Sequence, residues 1–231
     1  MSSTPVFALD GVDVPFTPGQ TVIEAATGAG HEVPHLCWHE GYAPHGSCRA
    51  CLVRVGGRTV AACCTPATPG LEVTLRDEAL DAERRAIVQM LFVEGNHFCP
   101  SCEKSGHCRL QATAYDLGIE GPHFEEFYPD RPLDASHPEL LLDTNRCILC
   151  GLCVRASALH DGKSVFALGG HGIGTHLVVN SPSGRLADSD LHPDDEAARI
   201  CPVGVILRKR RGFVVPIGQR PVDLGAPEAD T

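Results

Sequence analysis

"RCILCGLCVRA", residues 146–156, sets Cys147, Cys150 and Cys153 at two-residue intervals, and after 47 further residues Cys201 is followed by Pro202. A C-x2-C-x2-C run with a distant Cys-Pro is the thiolate pattern of a four-iron cluster. Three sulfurs so tightly spaced match the corner of a cube better than the tetrahedron around one zinc ion. Two-cluster bacterial ferredoxins carry the run twice. Here it occurs once, so this unit is expected to hold one cubane on Cys147, Cys150, Cys153 and Cys201.

Working back toward the N-terminus, "GNHFCPSCEKSGHC" (95–108) spaces three cysteines as Cys99-x2-Cys102-x5-Cys108, one ligand short of a four-iron site. The front group runs Cys37-x10-Cys48-x2-Cys51-x11-Cys63. Its loop "APHGSCRACLV" (43–53) carries Gly46 and Ser47, small enough for backbone N–H groups to approach an anionic cluster. Structural zinc competes, but zinc sites usually come as two CxxC pairs and only one stands here. A Rieske centre fails, because Cys37-Trp38-His39 lacks a second histidine-bearing partner motif. The front group is therefore read as a two-iron site on Cys37, Cys48, Cys51 and Cys63. Cys64 could substitute for Cys63. Neighbours on a strand face opposite ways, so Cys63 is chosen and Cys64 is expected to be a small buried hydrophobe. Eleven of the 12 cysteines are then assigned. The open ligand position in the middle group falls to a non-cysteine residue, or to Cys64 reaching across, and two histidines are local. His107 abuts Cys108, whereas His97, two before Cys99, is free to approach from another side, so His97 is expected to complete that site.

The chain has 231 residues and a formal net charge of −10, from 19 basic and 29 acidic residues, which argues against general nucleic-acid binding. The one basic run, Arg208-Lys209-Arg210-Arg211, reads as a solvated strand end before it reads as a docking patch for an acidic partner. "MSSTPVFALDG" has no basic n-region and no apolar h-region, and no apolar run approaches a membrane span. A cytoplasmic protein is expected, in which grouped cysteines mean metal or redox chemistry. "GGHGIGTH" (169–176) breaks the G-x-G-x-x-G pattern at Thr175, and no phosphate-loop motif occurs. No NAD or ATP site built on either of those devices is expected on this chain.

Residues 5–9 and 12–16 read as strands about an Asp10-Gly11 hairpin, followed by a helix with Thr21 and Glu24 as its capping box. Strands 49–55, 58–62 and 71–75 follow, so the front unit should be a small mixed α/β unit with a helix across a sheet. Residues 77–94 read as a packing helix with Asp77 as its cap and Leu80, Ile87, Val88, Leu91 and Phe92 on its apolar face. A short helix is expected near 108–116, a proline-rich linker over 118–138, and a last unit over 140–213. That unit includes a helix starting in "HPDDEAARICP" with Pro193 in its first turn. The tail from Gly218 reads as loose.

A two-iron group, a histidine-plus-three-cysteine group and a C-x2-C-x2-C…C-P group, in that order, resemble the N-terminal part of the large iron–sulfur subunit of complex I and the accessory domains of iron-only hydrogenases. "EGNHFCPSCEKSGHCRLQA", "NRCILCGLC" and "ARICPVGVILRKR" are most similar to the small diaphorase subunits of soluble NAD-reducing nickel–iron hydrogenases. Complex I members mostly show H-x3-C in the middle group, and here position 95 is glycine and the histidine stands at H-x-C.

The resemblance implies an α+β protein. A plant-type 2Fe-2S ferredoxin-like (β-grasp) domain would span 1–78, a 4Fe-4S domain with one histidine and three cysteine ligands 79–118, a bacterial-type ferredoxin-like 4Fe-4S domain 139–217, and a tail 218–231. It also implies an electron-relay subunit of a hetero-oligomeric hydrogen:NAD+ oxidoreductase, without an active site of its own. The expected cofactors are one 2Fe-2S and two 4Fe-4S clusters. The expected partners are an FMN/NAD-binding diaphorase large subunit and the hydrogenase small and large subunits. The alternatives are the same role in an NAD-dependent formate dehydrogenase or complex I-like enzyme and, in another class, a zinc-stapled interaction or nucleic-acid module, against which the acidic charge and 5% aromatic content speak.

Overall fold

The structure is a computed structural model and describes residues 4–213, 215–216 and 218–220. The chain divides into two compact units, residues 1–88 and 89–231.

In the first unit, strands β1 (Val6–Leu9) and β2 (Val12–Pro15) pair antiparallel, with Phe7 opposite Val14. Asp10 (φ 49°) and Gly11 (φ 82°) are both left-handed, as a tight hairpin that follows strand twist requires. Helix α1 (Val22–Gly28) starts at Thr21, whose backbone N–H donates to Glu24 Oε2 at 2.7 Å while the Glu24 N–H donates back to Thr21 Oγ1 at 3.5 Å. Strands β3 (Leu52–Val55) and β4 (Arg58–Ala61) turn at Gly56-Gly57. β5 (Glu72–Thr74) runs parallel to β1 and antiparallel to β3, giving the order β2-β1-β5-β3-β4. Val22, Ile23, Ala25 and Ala26 of the helix pack with Phe7, Leu9, Val53 and Val73 of the sheet, and Trp38, Cys51 and Cys63 belong to the same core.

Two expectations are corrected here. β3 begins at Leu52, because Arg49 adopts a left-handed φ of 57° and keeps Cys48 to Cys51 in a loop. β4 ends at Ala61, and Ala62–Cys64 form a 3-10 turn, so Cys63 and Cys64 are not strand neighbours.

Helix α2 (Glu78–Val93) is capped by Asp77, whose Oδ1 accepts the Leu80 N–H at 2.7 Å. Leu80 and Val88 are fully buried, whereas Ile87, Leu91 and Phe92 are half-buried. Arg84 shares that buried stripe, a burial that hydrophobic periodicity does not foresee. It is held by Asp81 and by the Leu52 carbonyl.

The second unit contains α3 (Arg109–Asp116) and then β6 (Leu133–Asp134), which pairs with β7 (Leu140–Asp143), so the expected linker carries a strand. Helix α4 (Leu152–Leu159) is preceded by its N-cap Gly151, with φ 69°. The hairpin β8 (Phe166–Gly169) and β9 (His176–Val179) follows, then α5 (Glu196–Arg199) and β10 (Ile206–Arg208), which pairs with β7. α5 is a single turn that starts after Pro193. His192 N–H and Lys163 both bond the Asp195 carboxylate, which holds the preceding residues out of the helix. In the basic run, Arg208 is tied to Pro193 and Asp194, and Lys209 to the Ala135 and His137 carbonyls, leaving Arg210 and Arg211 exposed. Most of the tail expected to be loose lies outside the described residues. Among the described residues no helix is long and apolar enough to cross a membrane.

Candidate metal centres

The front group converges. Cys37, Cys48, Cys51 and Cys63 are all buried, Cys63 completely. Their sulfurs are close enough to exchange hydrogen bonds. Bonds from Cys48 and Cys63 draw the Cys37 thiol down, and a bond from Cys63 does the same for Cys51. Donation to Cys37 is the largest influence pushing Cys48 and Cys63 up, with burial adding to it. Four buried sulfurs that compete for protons are a donor set that a cationic iron core would relieve. Gly46 is left-handed at φ 69°, and a Cβ there would stand 2.8 Å from Cys64 Sγ. Together with the positive φ of Arg49, this curls the loop so that the Ala50 N–H reaches the Cys48 sulfur. Cys64 departs from expectation: it is exposed, with its sulfur 3.6 Å from that of Cys63, because the 3-10 turn directs one thiol inward and the other out.

In the middle group, Cys99 opens the 3-10 turn Cys99–Ser101, Cys102 is its C-cap, and Cys108 is the N-cap residue of α3. Burial, followed by the neighbouring Cys102, raises the Cys99 thiol. Burial pushes Cys108 up to about 12. His97 packs edge-on to Phe92, with ring centroids 5.5 Å apart, and lies over Gly95, where an added Cβ would come within 2.6 Å of its Nε2. That Nε2 is buried and has no hydrogen-bond partner. Burial, and then the charges of Arg146 and Arg131, lower the imidazole to about 4, so it is neutral at pH 7 and keeps a lone pair. A buried nitrogen without a partner is rare and asks for an explanation. A missing metal partner is the one the donor chemistry suggests. His107 Nε2 is likewise buried and unpartnered, so burial alone does not choose between the two histidines.

The last group lines one apolar cavity, walled by all four cysteines together with Ile148, Leu168, Leu177, Pro202, Val203 and Val205. Burial pushes Cys147 up to about 11. It raises Cys153 well above the ordinary thiol range, with further contributions from Cys201, Cys150 and Cys147. Leu149 (φ 55°) and Gly151 (φ 69°) curl this loop as Gly46 and Arg49 curl the first, and the Leu149 N–H bonds the Cys147 sulfur.

Among the described residues no three His, Cys, Asp or Glu side chains stand close enough to share a single metal ion. Thiolates that each bind a different iron of a cluster need not meet at one point.

The middle and last groups are sewn together by residues that sequence motifs did not single out. The Arg109 N–H donates to the Pro202 carbonyl at 2.9 Å, and the Asn96 N–H donates to the Asn145 carbonyl at 2.9 Å. A Cβ on Gly204 would meet Cys102 Sγ at 2.8 Å. Arg146 Nη1 lies 3.4 Å from Cys102 Sγ. The signal for these residues was adjacency alone: Asn145 and Arg146 immediately precede Cys147, and Gly204 follows Cys201-Pro202.

Comparison with known proteins supplies three family models. A 2Fe-2S iron–sulfur cluster binding domain matches residues 5–78, an NADH-ubiquinone oxidoreductase-G iron–sulfur binding region matches 84–123, and a 4Fe-4S single cluster domain matches 140–207. The chain is 36% identical over 226 residues to the gamma subunit of the NAD-reducing hydrogenase HoxS of Cupriavidus necator, covering 96% of this chain and 94% of that one. It is 30% identical over 203 residues to the alpha subunit of the NADPH-Fe(3+) oxidoreductase of Geobacter sulfurreducens, covering 87% of this chain and 24% of that protein. It is also 30% identical over 209 residues to the G subunit of the NADH-quinone oxidoreductase of Rickettsia felis, covering 89% and 30%. A chain in a crystal structure of an NAD+-reducing NiFe-hydrogenase in the H2-reduced state superposes with a TM-score of 0.94 at 55% identity, over 99% of this chain and 97% of that one.

Proposed function

The chain belongs to the gamma-subunit family of NAD-reducing hydrogenases, and from that premise we propose that it is the electron-relay subunit between a hydrogenase module and an FMN/NAD diaphorase module. The observation that carries this reading is the placing of the three cysteine groups, each within a stretch matched by an iron–sulfur model, in a chain that covers nearly all of its hydrogenase relative. The ligands we assign are Cys37, Cys48, Cys51 and Cys63 for a 2Fe-2S cluster, His97, Cys99, Cys102 and Cys108 for one 4Fe-4S cluster, and Cys147, Cys150, Cys153 and Cys201 for a second. Such clusters, when bound, supply one-electron transfer. The chain's own residues withdraw most of the sulfurs from solvent, aim backbone N–H groups at them and wall the last site with the apolar Leu168, Leu177 and Val205. His97 contributes a neutral donor where the other sites have a thiolate.

The partners proposed are the diaphorase large subunit and the hydrogenase small and large subunits, in a cytoplasmic hetero-oligomer. A second reading, the same relay in another NAD(P)-linked dehydrogenase, is favoured by the Geobacter and Rickettsia relatives, in which the matched stretch is a quarter to a third of a longer chain. Purifying the native complex and identifying its subunits separates the two. Metal analysis tests both, with about 10 irons per chain expected from one two-iron and two four-iron clusters. A colourless zinc protein would overturn them.

A further inference from the structure

We propose that Arg146 is a positioning residue that raises the reduction potential of the middle cluster through an N–H···S bond and its positive charge. The proposal rests on the reading of Cys102 as a ligand of that cluster. Arg146 stands immediately before Cys147, so its backbone belongs to the loop of the last cluster site while its side chain reaches the middle one. Nη1 lies 3.4 Å from Cys102 Sγ, 3.2 Å from Glu103 Oε2 and 3.4 Å from the Gly204 carbonyl, and Nε lies 2.9 Å from Asp143 Oδ2. The side chain is 17% exposed and Asp143 is 9% exposed, so the anchoring pair is largely withdrawn from solvent screening, whereas Glu103, at 43%, is not.

A purely structural arginine would be satisfied by Asp143, Glu103 and the Gly204 carbonyl. Nη1 has two hydrogens, so the sulfur shares them with Glu103 and the Gly204 carbonyl, and the fold keeps the sulfur within reach. Gly204 has no side chain, and a Cβ there would crowd Cys102 Sγ at 2.8 Å and Arg146 Nη1 at 3.3 Å. Arg131 and Arg220 are other cations nearby; the Arg131 guanidinium donates to the Cys147 carbonyl at 3.4 Å and the Glu94 carbonyl at 3.1 Å, and Arg220 Nη1 donates to Ser105 Oγ at 2.6 Å. Reduction makes a cluster one charge more negative. A cation and a donor on a ligand sulfur favour that form and raise the potential.

The test is an EPR-monitored redox titration of the assembled complex carrying Arg146→Gln or Arg146→Lys, with iron counted per chain. For Arg146→Gln at full iron content, the middle-cluster midpoint should fall by about a tenfold change in the oxidised-to-reduced ratio, about 59 mV for one electron. The two-iron signal should not move. Arg146→Lys keeps the charge but cannot hold Asp143 and the sulfur together, so its midpoint should lie between those of Arg146→Gln and the natural chain. A natural midpoint in iron-replete Arg146→Gln overturns the proposal. If Arg146→Gln does not retain iron, a natural midpoint in Arg146→Lys overturns it. Absence of any middle-cluster signal in the natural complex would instead sink the cluster assignment.

Discussion

His97 occupies the space that a side chain on Gly95 would need, for a Cβ at position 95 would stand 2.6 Å from His97 Nε2 and 2.9 Å from the Asn145 carbonyl. A histidine two residues before Cys99 and a side chain four before it are therefore mutually exclusive in this backbone. Gly95 does not lie in the left-handed region, so the requirement is one of space. Gly95→Ala is expected to displace the imidazole, with an overpacking cost of about 1–3 kcal/mol. Iron per chain should drop from about ten toward about six as the middle cluster is lost. Unchanged iron content and an unchanged middle-cluster EPR signal would show that the ring is not held where the ligand assignment needs it.

The two unpartnered histidines make opposite predictions. His97→Cys replaces a neutral donor with a thiolate, makes the cluster more negative and should lower its midpoint. His107→Ala should leave both iron content and midpoint unchanged, apart from a modest stability loss. If His107→Ala alone abolishes the middle signal, the ligand is His107.

Much of this fold was legible because its signals are local. Asp10-Gly11 can form its hairpin with only the two flanking strands, and Thr21 and Glu24 complete their capping box within one turn. The cysteine grouping was legible where the thiols share one loop, as Cys147, Cys150 and Cys153 do, whereas Cys201 reaches the same cavity after 47 intervening residues. What was not legible depends on distant partners. Arg84 is buried because the Leu52 carbonyl and Asp81 receive it, and β6 forms because β7 is there to pair with. The sequence around Glu196 resembles a longer helix start, yet Asp195 bonded to Lys163 and the His192 N–H leaves one turn. The contact of Arg146 with Cys102 spans 44 residues and leaves no periodic trace.

The exposed Cys64 beside the buried Cys63 makes the front site separable by mutation. Cys64→Ser should preserve the two-iron absorption and EPR signals, whereas Cys63→Ser should abolish them or shift their g-values. Equal loss in both variants would mean that the 3.6 Å sulfur pair acts as one unit.

Iron uptake should depend on pH with a definite sign. Cys108 at about 12 and Cys147 at about 11 are protonated at neutral pH and must release protons to bind iron. Iron retained against a chelator should therefore rise between about pH 6 and about pH 9. His97, lowered to about 4, adds an acid limb. The unfolded imidazole takes up its proton near about pH 6.5, so the stability His97 contributes is complete above that value and is lost as pH falls toward about 4. Retention that is flat across the neutral range would contradict the thiol part of this account.

The central claim is that this chain carries electrons between hydrogen oxidation and NAD reduction. The most direct measurement is rapid-freeze EPR of the assembled complex, first under hydrogen and then after addition of NAD+. The account predicts that the iron–sulfur signals of this protein appear under hydrogen and disappear on addition of NAD+ within one turnover time. Signals that stay unchanged while NADH accumulates would contradict it.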